Sequence, residues 1–240
     1  MFTYRHFIWL GIFAVLIPLA IILLKKFKIP EKKVSLVVLA LAIILRLIHV
    51  AGNMVPIEGG VGMVFDPTKL PFQLCSYQVY LFLIINLTKN EKVISTVKSF
   101  IVPSAIIGAM LALLIPTGGV AFNEVGVWEY MLAHSLFVFY GFYLMFVEKV
   151  DLGLKSYAKN LGLLSAVVVI AFIGNSVLQE YDVNFCFLVR PPVEKLPILN
   201  LNHGWYVYFL TLVIIAVVLI LLLQLPFIIK EMLNKKKLKK

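Results

Sequence analysis

The sequence predicts an all-α membrane protein, a bundle of about seven transmembrane helices. Three observations predict it. First, 62% of the 240 residues are hydrophobic and 14% are charged, and mean hydropathy is +0.99. A soluble domain is about 45–50% apolar and about 25% charged, so lipid must serve as solvent for much of this chain. Second, apolar segments recur at roughly 6–24, 34–53, 71–88, 95–115, 127–147, 159–179 and 204–229. Each is near the ~20 residues that cross a bilayer. Third, the breaks between them alternate between lysine-rich and lysine-poor.

In hydrocarbon the backbone must satisfy its own hydrogen bonds, so the segments are expected to be helices. The first, "MFTYRHFIWLGIFAVLIPLAIILLKK", has no small-residue cleavage site before its lysines and reads as a retained span. Residues 1–240 read as one polytopic domain, without an internal repeat. Lys25, Lys26, Lys28, Lys32 and Lys33 follow the first segment. Lys89 and Lys92 follow the third, and Lys149, Lys155 and Lys159 the fifth. Lys230, Lys235, Lys236, Lys237, Lys239 and Lys240 fill the tail. The alternate breaks hold Lys69, then no cation between 116 and 127, then Arg190 and Lys195. The positive-inside rule puts the N-terminus outside and the C-terminus in the cytoplasm, as seven spans require, in a multi-pass protein of the cell membrane.

The net charge of +10 resembles that of a nucleic-acid binder. Its placement in short breaks and in the tail "KEMLNKKKLKK" argues instead for topology signals and contact with anionic lipid. No folded basic domain remains to bind nucleic acid. There is no P-loop, no GxGxxG and no zinc-type cysteine spacing, so neither a metal nor a cofactor is expected. The outer breaks are richer than the inner ones. "NMVPIEGGVGMVFDPTK" and "PTGGVAFNEVG" mix glycine with hydrophobes, as segments lying on the membrane surface would. "EYDVNFCFLVRPPVEKLPILNLNHGW" is the longest. Function is expected on the outer side.

Polar side chains inside a membrane are costly, and each is a functional candidate. Arg46 and His49 share a face of the second segment; an arginine this deep suits a phosphate headgroup or an ion pair with Glu129. Cys75 and Gln78 share a face of the third. A buried cysteine commonly acts as a small hydrophobe, and a disulfide with Cys186 is a further alternative. Tyr130 and His134 share a face of the fifth segment, continued by Gly141, with Glu129 near its outer end. Asn175 and Gln179 share a face of the sixth, beside Gly174, where helix–helix hydrogen bonding is the plainer explanation. At about 1.5 Å per residue, His49, Cys75, Asn175 and His134 all fall in the outer leaflet, roughly 5–10 Å deep. A shared cavity opening outward follows.

A thiol and an imidazole at one depth suit a nucleophile, Cys75, activated by a base, His134. Glu129 or Asn175 would orient the ring. Tyr130, Gln78 or Asn175 would donate to an oxyanion. The electrophile most available there is a lipid acyl ester. The rivals are a transporter or lipid-binding protein, and a structural subunit. The inner half shows only Asn86 and Ser99, near its boundary, which disfavours a through path.

"LPFQLCSYQ", "WEYMLAHSL" and "NFCFLVRPPVEKLPILNLNHGWYVYFL" resemble segments of the YwaF-type bacterial integral membrane proteins, in order along nearly the whole chain. That family is similar to eukaryotic multi-span phospholipid acyltransferases with an implicated cysteine and histidine. The resemblance implies Cys75 and His134 as that pair. Gln73 stands where the bacterial pattern often has histidine, and His203-Gly204-Trp205 departs from the tryptophan motif.

Overall fold

The structure, a computed structural model, describes residues 2–57, 61–193 and 196–237. Lys195, Lys239 and Lys240, and the side chains of Lys236 and Lys237, all used in the charge argument, lie outside the described residues. The chain forms α1 (Tyr4–Lys26), α2 (Glu31–Gly52), α3 (Leu74–Leu87), α4 (Glu91–Leu114), α5 (Val125–Glu148), α6 (Leu154–Val177) and α7 (Trp205–Lys237). Six of these are long and apolar enough to cross a membrane, and α3 is a shorter apolar helix. The all-α membrane bundle expected from the sequence is therefore the observed fold.

Local chemistry sets the boundaries. Pro30 precedes α2, whose first turn carries Glu31, complementing the positive end of the helix. Asn90 caps α4 by accepting hydrogen bonds from Lys92 N and Val93 N. Helix α3 begins at Leu74, later than the expected 71, because Pro71 and the residues around it turn back beneath a loop. Its 14 residues give about 21 Å, against ~30 Å of hydrocarbon. Inside α4, Pro103 removes an amide donor, and the next turn widens to π-helix over Ser104–Ala109.

The glycine-rich break between α2 and α3 folds into an antiparallel hairpin, β1 (Met54–Pro56) with β2 (Met63–Phe65), Met54 opposite Phe65. Asp66 N donates to Asn53 O, closing the hairpin onto the end of α2.

Helices α2, α3, α4 and α5 make the centre. Phe82, Ile101, Ala105, Met131 and Tyr140 are fully buried there. Phe82 meets Phe137 at 5.8 Å and Tyr140 at 5.2 Å, both edge-on. Gly141 permits the closest approach of α5 to the widened turn of α4, since a Cβ there would sit 2.8 Å from Ile106 Cγ1.

The lysine-rich side corrects a second expectation, because it is not apolar. Lys98 Nζ lies 2.9 Å from Glu31 Oε2, and Tyr140 Oη donates to Glu31 Oε1 at 2.9 Å. Tyr143 Oη donates to Glu148 Oε1 at 3.0 Å, and Asn160 Nδ2 donates to Ser99 O at 3.1 Å. The sequence hid Glu31, Lys98, Ser99, Tyr140 and Asn160 because each lies far along the chain from its partner. Between them and the hairpin side stand Phe82, Phe137 and Tyr140, so the polar layers are separated by packed rings.

Gly141→Ala should lower the melting temperature in detergent by the equivalent of about 1–3 kcal/mol, the usual cost of overpacking. Gly126→Ala on the same helix, with open space at its Cα, should leave it unchanged. Equal melting temperatures for the two variants would contradict the close approach.

Candidate functional site on the hairpin side

Helix α5 places Tyr130 and His134 one turn apart, and their rings lie 4.2 Å apart between centroids. His134 Nδ1 is 2.6 Å from the Tyr130 carbonyl. A carbonyl only accepts, so Nδ1 carries the hydrogen and Nε2 of the neutral ring keeps its lone pair. The ring is thus oriented by its own helix. Neither Glu129 nor Asn175 orients it, contrary to expectation.

Glu129 is engaged elsewhere. Its Oε2 lies 3.2 Å from His49 Nδ1, joining α5 to α2, with the pair largely shielded. The ion pair expected as one fate of Arg46 is therefore made by His49. Arg46 itself has no hydrogen bond or ion pair among the described residues, although Tyr80 and Glu129 are within electrostatic range. Phe65 of the hairpin covers His49 at 6.3 Å.

Cys75 stands in the first turn of α3, half-buried against the central core, within electrostatic range of Tyr130. Its thiol makes no hydrogen bond to His134. It is not a disulfide either: both cysteines are free thiols. One turn deeper, Gln78 is fully buried. Its Nε2 donates to Ser104 Oγ at 3.0 Å, while its Oε1 has no partner. Tyr130 Oη donates its single hydrogen to Ala112 O at 2.8 Å, which removes it as an oxyanion donor. So the structure gathers Arg46, His49, Cys75, Glu129, Tyr130 and His134 on one side of the bundle, with Gln78 beneath.

Asn175 belongs to a different task. Its Oδ1 accepts from Phe185 N at 2.7 Å and its Nδ2 donates to Phe185 O at 3.1 Å. Both polar atoms are used to hold the loop between α6 and α7. Gln73 does the same from α3, donating to Asn184 O at 3.0 Å and accepting from Cys186 N at 2.8 Å. Phe185 is buried against Phe72 at 5.0 Å and fits over Gly174, where a Cβ would come within 3.1 Å of its ring. Trp205 Nε1 donates to Leu188 O at 2.9 Å and Tyr208 Oη to Phe187 O, tying the loop to α7. Asn184 Oδ1 accepts from Val189 N and Arg190 N.

This strapping forces unfavourable backbone. Cys186 and Phe187 are consecutive non-glycine residues at φ 51° and 55°, a region costing on the order of 1–3 kcal/mol each. Cys186 Sγ donates to Phe72 O at 3.2 Å. Burial pushes the Cys186 thiol up to about 12, so it stays protonated and unreactive at neutral pH. The sequence marks Gln73 only as a departure from the bacterial histidine, and its loop partners Asn184 and Cys186 lie more than 100 residues away.

Fold and side chains together define a multi-pass membrane protein with a cluster of polar side chains at one end of its bundle, beside a hairpin and a strapped loop. Residues 1–224 match the TMEM164 family, and the chain belongs to it. Neither a curated protein nor a solved structure matches the chain.

Iodoacetamide at pH 7.5 should leave Cys186 unmodified in the folded protein and modify it after denaturation. Asn175→Ala, which strands two buried backbone groups at an expected cost of about 1–3 kcal/mol, should expose Cys186 to the reagent in the native state. Peptide mass spectrometry reads both. Modification of Cys186 at equal rates in wild type and variant would contradict the strap.

Proposed function

We propose that the protein is a membrane-embedded lipid acyltransferase or transacylase working through Cys75 and His134. The observation that carries this reading is the 2.6 Å approach of His134 Nδ1 to the Tyr130 carbonyl. With Nδ1–H committed to the Tyr130 carbonyl, Nε2 faces the chemistry as a base, and Cys75 is the nucleophile within the same cluster. In the first step His134 Nε2 takes the Cys75 proton. The sulfur attacks the carbonyl carbon of a lipid ester, and the ester oxygen leaves as an alcohol with the proton returned by His134. The product is a thioester on Cys75. In the second step a lipid hydroxyl, or water in a hydrolytic variant, loses its proton to His134 and attacks the thioester, regenerating the thiol.

Gln78 supports this as the oxyanion donor, since one hydrogen of its amide is free of Ser104. Arg46, otherwise unpartnered, suits the phosphate of the headgroup, and the His49–Glu129 pair holds α2 and α5 at the spacing it needs. Tyr130 and Asn175 act as positioning residues, through Ala112 and Phe185. The resemblance to multi-span phospholipid acyltransferases adds to the reading. So do the lysine positions, which put the cleft on the outer face of the cell membrane, the C-terminus in the cytoplasm and anionic lipid at the tail.

A second reading is favoured by one observation. The Cys75 thiol and the His134 ring are not hydrogen-bonded, as suits a non-enzymatic lipid-binding cleft. A transporter fits less well, because packed rings separate the two polar layers.

An activity-based probe carrying an acyl electrophile on a phospholipid should label wild type at Cys75 and should not label Cys75→Ser or His134→Ala. Arg46→Gln should raise KM for a phospholipid ester while leaving kcat within about twofold, as loss of a ground-state contact does. Equal labelling of wild type and both variants would exclude the enzyme and favour the binding cleft.

A further inference from the structure

The wall of the bundle formed by α1 is packed at one end only. Its buried residues are His6, Trp9 and Phe13, all in its first half. His6 Nε2 lies 2.7 Å from Leu113 O, and Trp9 packs edge-on against Trp128 at 4.7 Å. Beyond Phe13 only half-buried positions such as Ile17 and Leu24 reach the core. The result is a groove of about 620 Å³ between α1, α4 and α5, within the ~300–1,000 Å³ usual for small-molecule sites. Ala14 and Ile17 line one wall, Leu113 the end, Val138 and Phe142 the other wall, and Lys25 the mouth.

Two features say what fills it. The lining is apolar except at Lys25, and a gap of this size cannot stay empty in a bilayer, since an unfilled void forfeits its dispersion contacts. The mouth is positively charged. Lys25, Lys26 and Lys28 have no ion pair among the described residues, and the neighbouring carboxylate Glu31 is already committed to Lys98 and Tyr140. From Leu10 to Lys25 the groove runs about 22 Å along α1 at 1.5 Å per residue. That exceeds half of the ~30 Å hydrocarbon thickness, which suits one long acyl chain rather than a compact ligand.

We propose that this groove is a binding site for an anionic phospholipid. Its acyl chain lies between α1, α4 and α5, and its phosphate sits at Lys25. The site is separate from the Cys75 cleft and does not rest on the enzyme reading. It also differs from the tail, whose lysines offer charge without a groove.

The purified protein, in mild detergent with equimolar dioleoyl phosphatidylglycerol and dioleoyl phosphatidylcholine, is read by native mass spectrometry. Wild type should retain phosphatidylglycerol in preference. Lys25→Gln should reduce that preference about fivefold, the scale of one lysine at an anionic surface. Ala14→Phe, at an exposed position facing the groove, should cut retention of both lipids. Lys69→Gln, at an exposed position beside the hairpin, should change neither. Wild-type preference surviving in Lys25→Gln, full retention in Ala14→Phe, or loss in Lys69→Gln would each overturn the proposal.

Discussion

Every polar group placed at membrane depth must find its partner inside the protein, because lipid supplies none. The architecture follows that constraint. Glu129 meets His49, Asn175 meets the backbone of Phe185, Gln78 meets Ser104, and Glu31 meets Lys98 and Tyr140. All but the Asn175 pairing join segments far apart in the chain, and these fix which helices are neighbours. Apolar packing then fills the space between.

Against that rule the exceptions are informative. Among the described residues the Arg46 guanidinium, the Oε1 of Gln78 and the Nε2 of His134 have no protein partner on the hairpin side, and His6 Nδ1, Trp9 Nε1, Tyr77 Oη and both amide atoms of Gln224 have none either. A buried polar atom without a partner costs about 1–3 kcal/mol. The strained pair Cys186–Phe187 lies on the hairpin side, held by Gln73, Trp205 and Tyr208. The lysine-rich end pairs Glu31 with Lys98 and Tyr140, and Glu148 with Tyr143.

The two cysteines show how context separates identical groups. Both are free thiols. Cys186 is locked under a loop with its sulfur donating to a carbonyl. Cys75 lies in the first turn of a helix that starts short of the full span, beside Tyr130. The shortness of α3 and the strapping of the loop are one arrangement, since Gln73 serves both.

The membrane class, the seven apolar helices and the grouping of Arg46, His49, Cys75, Glu129 and His134 near one end were legible in the sequence. Hydropathy period and helical rise depend only on local order, so depth along each helix can be counted. Rotation about each axis and the choice of partner cannot be counted. Asn175 sits at the right depth yet points into the loop, Tyr130 spends its hydrogen on Ala112, and His49 rather than Arg46 takes Glu129. The hairpin, the Glu31–Lys98–Tyr140 cluster and the wedge beneath α1 were hidden for the same reason. The cluster and the groove arise from contacts between residues tens of positions apart, and only tertiary packing decides which distant polar groups satisfy each other.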